Sequence, residues 1–374
     1  MDFSLTAEQQ FLRDTTRKFM ARECPRDRAH ALDAQGAFAA ELLARIADLG
    51  FCSLNIPEAY GGSGQDLLGA ALVVEEIAAL SPALAGLFAS AAFGGQVLSR
   101  LGSPAQQAAL LPDIAAGALV MSYAPDAASV TADGHAGAFR LNGRTPPLPY
   151  AGRAHALLIH ACNSADPDQS HLFLIPTNTP GVRLLPQEMV GSRGSGAASV
   201  LFEEAALGSD DLLGGAEQLG RGDAQAAYVT AVMQLAAAAV SLGLAQGAFD
   251  YTRAYAAERQ QFGQPIGQFP AIRDLLVDLA AGLHACRWLL YHACWLADHD
   301  KAFAAEAAIA CLQTVALARQ AGLQSVHILG GYGYMAEYDA QRYLRDALTP
   351  LAGGEASALT RQTIAELIGL AGRP

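Results

Sequence analysis

Residues 324–361 read QSVHILGGYGYMAEYDAQRYLRDALTPLAGGEASALTR, a stretch in which helical runs alternate with glycine breaks. An apolar helix breaks at the glycine-rich residues 330–334, a second helix follows, and the chain breaks again at residues 353–354. A glycine pair at a helix end lets the backbone approach a ligand closely because no Cβ intervenes. The two breaks therefore predict two backbone surfaces that face one large cofactor or substrate. Between the second break and Arg361, Glu355 is the only carboxylate.

The composition describes a large and apolar chain with a negative charge. Its 374 residues predict two or three domains. Hydrophobic residues make up 52% and charged residues 16%, which indicates large buried helix faces and an oligomer interface. The net charge of −12 argues against nucleic acid or an anionic membrane surface as a partner.

The cysteines and the N-terminus favour a cytoplasmic location. Six cysteines are scattered without a CxxC pair or a metal-ligand spacing, a pattern typical of reduced and mostly buried thiols. The first residues, MDFSLTAEQQFLRD, are polar and amphipathic and do not resemble a signal peptide. The Ala/Leu/Val run of residues 233–244 is too short to cross a bilayer and predicts a core helix. We therefore expect no metal site and no membrane segment.

Three regions follow one another along the chain, and together they predict an α+β protein. Residues 1–118 have helical patterns, beginning with the capping box of Thr6 and Gln9. Residues 119–225 contain apolar runs bounded by Gly, Pro, Asn and Asp, which predict an antiparallel sheet. Residues 226–374 return to long helices and predict a four-helix bundle that packs into a multimer. The predicted strands lie within residues 139–143, 155–162, 171–185 and 198–207.

Two motifs carry a resemblance to a known family. The first is HILGGYGY at 327–334, followed by EY at 337–338 and RDA at 345–347, and the second is YAAERQQFGQPI at 255–266. Over residues 5–368 the chain resembles the acyl-CoA dehydrogenases. The resemblance implies an N-terminal all-α domain, a middle antiparallel β-domain and a C-terminal four-helix bundle. It also implies FAD as cofactor and the oxidation of an acyl thioester between Cα and Cβ.

The second motif supplies the first set of candidate cofactor residues. In the family this helix end contributes an arginine and neighbouring groups to the FAD of an adjacent subunit, which implies that role for Arg259, Gln261 and Phe262. A guanidinium binds phosphate oxygens through paired hydrogen bonds and stays charged at all physiological pH values. The alternative interpretation makes Arg259 a helix-capping residue and Phe262 a core residue.

Further candidate cofactor contacts come from the glycine-rich stretch and the middle region. The resemblance places Gly330 and Gly331 beside the pyrophosphate or adenosine of FAD. His327 stands where the family usually has glutamine, and it either contacts the cofactor or is an ordinary helix histidine. Tyr123 occupies the position of a threonine that usually contacts the flavin ring, and a tyrosine hydroxyl can still donate a hydrogen bond. The family's Trp-x-Thr positions fall on Pro147 and Pro149, so the wall facing the flavin is altered.

The catalytic base is the largest departure from the family pattern. Desaturation needs a carboxylate within reach of the α-proton. Counting from residues 345–347 without gaps places the family's usual glutamate on Gly354, and Glu355 is one residue later. The alternative base position, on the first helix of the C-terminal region, is Met233, and the arginine that usually follows it is Gln234. Glu355 is therefore the candidate base, in a displaced position.

Three hypotheses about function remain open at this point. In the first, the chain is an FAD enzyme that oxidises an acyl thioester of CoA or of an acyl carrier protein, with Glu355 as base. In the second, it is a non-catalytic or half-site subunit of a hetero-oligomer with a paralogous dehydrogenase. In the third, the fold has been adapted to flavin and oxygen chemistry or to flavin-independent chemistry. All three imply a dimer or tetramer, either homomeric or heteromeric.

Overall fold

The computed structural model describes residues 4–64, 66–125, 129–135, 137–166, 169–349 and 356–370. Glu355, the candidate base, and Gly353 and Gly354 beside it lie outside the described residues. The chain forms an N-terminal helical part, a middle sheet and a C-terminal helical part, as the sequence predicts.

The described residues of the N-terminal part form six helices, and local sequence signals explain where several of them begin. Thr6 and Gln9 form the predicted capping box at the start of the first helix. Pro82 and Pro104 occupy the first positions of the fifth and sixth helices, where the missing N–H is not needed. The bounds are α1 Ala7–Glu23, α2 Arg26–Gln35, α3 Ala40–Asp48, α4 Leu67–Ala78, α5 Pro82–Leu101 and α6 Pro104–Ala115.

Among the described residues of the middle part, seven strands form one sheet. They are β1 Met121–Ala124, β2 Val130–His135, β3 Ala138–Arg144, β4 Ala156–Cys162, β5 Ser170–Pro176, β6 Val182–Pro186 and β7 Ala198–Gly208. The order is β1-β4-β2-β3-β7-β6, with β5 also paired to β4. Most pairs are antiparallel, as the sequence predicts, but β1 and β2 each run parallel to β4, which makes the sheet mixed. One face buries an apolar cluster that includes Phe139, Phe173 and Phe202.

The C-terminal part contains five helices in the residues that the structure describes. They are α7 Gly222–Glu258, α8 Pro270–Asp298, α9 Ala304–Leu329, α10 Asp339–Ala347 and α11 Ala356–Leu367. A short hairpin of β8 Gln260–Gln261 and β9 Gln264–Pro265 joins α7 to α8. The long helices α7, α8 and α9 pack together, and α7 also packs on α4 and α5, so the two helical parts share one apolar core.

Two helices are long and apolar enough to cross a membrane, namely α5 and α7. In each of them 78% of the apolar window is buried by the rest of the chain. This burial agrees with the prediction that residues 233–244 belong to a core helix.

The RDA motif of residues 345–347 ties the three parts of the chain together. The Arg345 guanidinium bonds the Asp33 carboxylate on α2 and donates to the Val190 carbonyl at 2.7 Å. The Asp346 carboxylate accepts the Ser192 N–H at 2.6 Å. Burial raises the pKa of Asp346 to about 6, although this N–H and the nearby Arg342 guanidinium oppose the rise.

Candidate functional site

The turn after α7 holds three predicted cofactor residues in unusual positions. Arg259 ends α7, where its N–H bonds the Tyr255 carbonyl at 2.9 Å. A tight hairpin of residues 260–265 follows, and its two loop residues are Phe262 with φ +50° and Gly263 with φ +82°. Two-residue hairpin loops require this left-handed backbone, which is uncommon for a bulky side chain. The Phe262 ring is consequently 96% exposed, which excludes the alternative interpretation of Phe262 as a core residue.

The glycine-rich turn after α9 leaves open space in front of two residues. Gly330 ends α9 with φ +61°, and a short helical turn covers residues 330–334. A Cβ added to Gly330 or Gly331 would meet no atom within 4 Å. At Gly333, by contrast, a Cβ would lie 2.4 Å from the Val326 carbonyl oxygen. Gly333 is therefore required by packing, whereas Gly330 and Gly331 border an open approach to the backbone.

These two turns meet in one open cleft of about 600 Å³, which we call the turn cleft. Arg259 and Gln261 give the cleft its polar side chains, and Gly331 also lines it. The Arg259 guanidinium lies 5.7 Å from the centre of the Tyr332 ring. Its other lining residues are mostly apolar: Tyr255, Ile266, Ile272, Ile328, Leu329 and Met335. In the described part of the chain Arg259 forms no ion pair, although the exposed arginines Arg253 and Arg273 on either side of it do. The cleft thus combines one available cation with an apolar wall.

His327 and Tyr123 do not line this cleft. His327 lies exposed in the last turn of α9. Tyr123 lies in β1, where its hydroxyl contacts the Thr230 hydroxyl at 3.1 Å and donates to the Ala226 carbonyl at 3.3 Å. Burial raises the pKa of Tyr123, so the hydroxyl stays protonated. Its role as a flavin contact stays a prediction, and the structure shows that its hydroxyl joins the sheet to α7.

Helix α7 offers no ionisable group at the alternative base position. Met233 packs against the main apolar core. Gln234 is 4% exposed, and its side-chain amide donates to the Thr360 hydroxyl of α11 at 3.1 Å. Gln234 therefore has a structural partner in the place where the family usually has an arginine near the substrate. The first described residue of α11 is Ala356, and Glu355, its neighbour in the sequence, lies outside the described residues.

The proline segment after β3 differs from a regular strand, as the sequence predicts. β3 ends at Arg144, and beyond it the backbone N–H groups of Thr145 and Leu148 still bond β7, with Leu148 in an isolated bridge to Ala198. The segment ends at Tyr150, a residue that the sequence analysis did not single out. Tyr150 has φ +63° and is 4% exposed, and among the described residues its hydroxyl has no hydrogen-bond partner. The positive φ of this non-glycine residue marks it in the structure, but a backbone angle cannot be read from the sequence.

Comparison with known proteins agrees with this geometry. Models of the N-terminal and C-terminal domains of acyl-CoA dehydrogenases match residues 6–118 and 220–369. This chain belongs to the acyl-CoA dehydrogenase family. It is 33% identical to the probable acyl-CoA dehydrogenase YngJ of Bacillus subtilis, with 98% of this chain and 99% of that protein covered. It is 32% identical to a benzylmalonyl-CoA dehydrogenase of Aromatoleum aromaticum, with 98% and 99% covered.

A solved structure connects the family to a flavin. This acyl-CoA dehydrogenase family member superimposes on the FAD complex of PigA with a TM-score of 0.89 and 26% identity, over 100% of both chains. The turn cleft fits such a cofactor, because the space in front of Gly330 and Gly331 admits a ligand to the backbone. Arg259 has no carboxylate partner among the described residues, and the charge of a guanidinium fits a pyrophosphate.

Proposed function

We propose that this chain is an FAD-dependent dehydrogenase that oxidises an acyl thioester between Cα and Cβ. The observation that carries the proposal is that Arg259, Gln261 and Gly331, which are separated by about seventy residues of sequence, line one cleft. The two relatives named above are a probable acyl-CoA dehydrogenase and a benzylmalonyl-CoA dehydrogenase, and both names support an acyl-CoA as the substrate. An acyl carrier protein would present the same thioester.

The residues of the turn cleft would hold the dinucleotide part of FAD. Arg259 would bind phosphate oxygens, and Gly330 and Gly331 would let those oxygens approach the backbone. The exposed rings of Phe262 and Tyr332 offer apolar faces for a heterocycle. The bound flavin supplies the hydride acceptor of the reaction. Since the cleft opens to solvent, we propose that the FAD it holds belongs to a neighbouring subunit.

Glu355 would take the α-proton of the substrate. α7 presents Met233 and Gln234 where the family's alternative base and arginine stand, so it supplies no base there. Glu355 is the carboxylate nearest in sequence to the usual base position. A base in a displaced position has to be brought within hydrogen-bond reach of the α-carbon, and the adjacent Gly353 and Gly354 permit backbone angles that other residues avoid.

A second candidate function is a subunit that completes the flavin site of a paralogous partner. The observation that favours it is the contrast between two sets of residues. The groups that would serve a neighbour's flavin are available in the turn cleft. On the side that would serve the chain's own flavin, the Tyr123 hydroxyl is engaged by Thr230 and the Trp-x-Thr positions are Pro147 and Pro149.

Absorbance spectroscopy of the purified chain distinguishes the two. The proposed function predicts a yellow protein whose flavin absorbance band at about 450 nm is bleached by a short-chain acyl-CoA. It also predicts that Glu355→Gln abolishes bleaching while the protein stays yellow. Glu366→Gln, an exposed carboxylate of α11, is the matched control and should bleach normally.

A colourless chain that acquires flavin only when co-expressed with a paralogue would support the second candidate. A yellow protein that no acyl thioester bleaches would contradict the proposed function. Bleaching that survives in Glu355→Gln would support the proposed reaction but show that Glu355 is not its base.

A further inference from the structure

A second cavity, of about 590 Å³, lies where α1, α4, α7 and α8 meet, and we call it the arginine cavity. It shares no lining residue with the turn cleft. Five arginines and three carboxylates line it, which leaves a surplus of two positive charges in a chain whose net charge is −12. The charged lining residues are Arg13, Arg17, Arg26, Arg253, Arg287, Glu75, Glu76 and Asp250.

Two of the five arginines are committed to carboxylates of α4. The Arg17 guanidinium donates two hydrogen bonds to Glu76, at 3.0 and 2.7 Å. The Arg287 guanidinium donates to one oxygen of Glu75 at 2.9 and 2.6 Å. The other Glu75 oxygen accepts the Tyr291 hydroxyl at 3.0 Å. These pairs form a neutral wall and leave neither α4 carboxylate available to the remaining arginines.

The other three arginines are only loosely paired with carboxylates. Arg13, Arg26 and Arg253 have their nearest ion-pair oxygens at 3.9, 3.6 and 3.9 Å, on Asp14, Asp339 and Asp250 respectively. In the described part of the chain none of the three donates a hydrogen bond to a carboxylate. The Nε of Arg13 is buried and has no hydrogen-bond partner among the described residues. A buried donor without a partner is unfavourable, and an acceptor from a ligand would relieve it.

We propose that the arginine cavity binds a phosphorylated small molecule through Arg13 and Arg253. A guanidinium presents a planar fork of N–H donors that matches two oxygens of a phosphate, and two such forks from α1 and α7 could share one phosphorylated group. The cavity volume lies within the usual range for small-molecule sites. Ala21, Ala79 and Leu80, which line the cavity and are exposed or half-buried, add apolar surface for the rest of the ligand. This site is independent of the flavin and of the proposed dehydrogenase reaction.

Isothermal titration with inorganic pyrophosphate at low ionic strength tests the proposal. The full chain is titrated with Arg259→Gln already in place, so that pyrophosphate in the turn cleft does not contribute. We expect saturable binding that weakens at least tenfold when Arg13→Gln and Arg253→Gln are added. Arg183→Gln, an exposed arginine that pairs with Glu203 on the sheet, is the control and should leave binding unchanged. Unaltered thermal unfolding of each variant shows that the fold is intact.

Three results would overturn the proposal. The first is the absence of saturable pyrophosphate binding in the Arg259→Gln chain. The second is binding that Arg183→Gln weakens as much as the Arg13 and Arg253 substitutions do. The third is succinate binding as tightly as pyrophosphate, which would show that the cavity does not select phosphorylated ligands.

Discussion

At the scale of single residues, the two glycines of the GGYGY stretch that differ most in surroundings are Gly331 and Gly333. An added Cβ meets open space at Gly331 and the Val326 carbonyl at Gly333. We predict that Gly331→Ala changes the free energy of unfolding by less than about 1 kcal/mol but weakens FAD binding, because the methyl group occupies the space that the cofactor needs. Gly333→Ala should destabilise the fold by about 1–3 kcal/mol through the clash. Thermal unfolding and FAD titration measure both effects, and equal loss of stability in the two variants would contradict this account.

Tyr150 gives a second prediction about a single residue. Its buried hydroxyl has no partner among the described residues, and a Cβ added to Gly86 of α5 would lie 1.7 Å from it. We predict that Tyr150→Phe leaves stability unchanged or raises it by about 1 kcal/mol, since it removes an unsatisfied polar group. Gly86→Ala should lower the free energy of unfolding, and by a larger amount than Tyr150→Phe alters it. Chemical denaturation monitors both, and a marked loss of stability in Tyr150→Phe would mean that the hydroxyl has a bonding partner after all.

At the scale of elements, the start of α4 depends on a carboxylate from the end of α8. Asp298 accepts the N–H groups of Leu67 and Leu68 at 2.7 and 3.2 Å. Burial raises its pKa from the ordinary aspartate range to about 6, although these N–H groups oppose the rise. Between pH 4 and 6 the folded chain therefore holds a proton on Asp298 that the unfolded chain has released. The contribution of Asp298 to stability is largest near pH 4 and is lost as the pH rises through 6.

We predict that Asp298→Asn makes the dependence of unfolding free energy on pH flatter across this window. The change in slope should be at most about 1.4 kcal/mol per pH unit, the limit for one proton. Asp274→Asn, which alters an exposed carboxylate at the start of α8, should leave the slope unchanged. Denaturation at several pH values between 4 and 7 measures the slopes, and identical slopes in Asp298→Asn and the unsubstituted chain would contradict the prediction.

The sequence predicted most of the elements because their signals are local. Capping residues and prolines gave the helix starts, and apolar alternation gave the predicted strands β3 to β7. The parallel pairing of β1 with β4 was not predictable, because it joins residues distant in sequence and β1 is only four residues long. At the candidate site, the sequence named Arg259, Gln261 and Gly331 of the turn cleft but not most of its apolar lining. It gave neither the left-handed backbone that exposes Phe262 nor the hydrogen bond that holds Tyr123 against α7, since both depend on tertiary structure.

At the scale of the whole molecule, apolar side chains on α8 predict an assembly. Trp288 and Trp295 lie seven residues apart on α8, and in the single chain they are 38% and 40% exposed. Val277 of α8 is 57% exposed and Leu323 of α9 is 56% exposed. Apolar surface of this kind on one helical part is typical of a subunit interface.

We therefore predict that Trp295→Glu shifts the chain toward smaller species in size-exclusion chromatography with light scattering. The charge would interrupt the apolar surface that the interface has to bury. Arg144→Glu, at the exposed end of β3, should leave the mass unchanged. A mass that is the same for both variants and the unsubstituted chain would place the interface elsewhere.

The central claim is that the turn cleft binds FAD through Arg259, and flavin titration of purified chains tests it most directly. Arg259→Gln is compared with Arg273→Gln, an exposed arginine of the same region that pairs with Asp274 and does not line the cleft. Removing a charge-assisted hydrogen bond to phosphate should weaken binding about tenfold or more. The account predicts that loss in Arg259→Gln and unchanged FAD affinity in Arg273→Gln. Equal affinity in Arg259→Gln and the unsubstituted chain would contradict it.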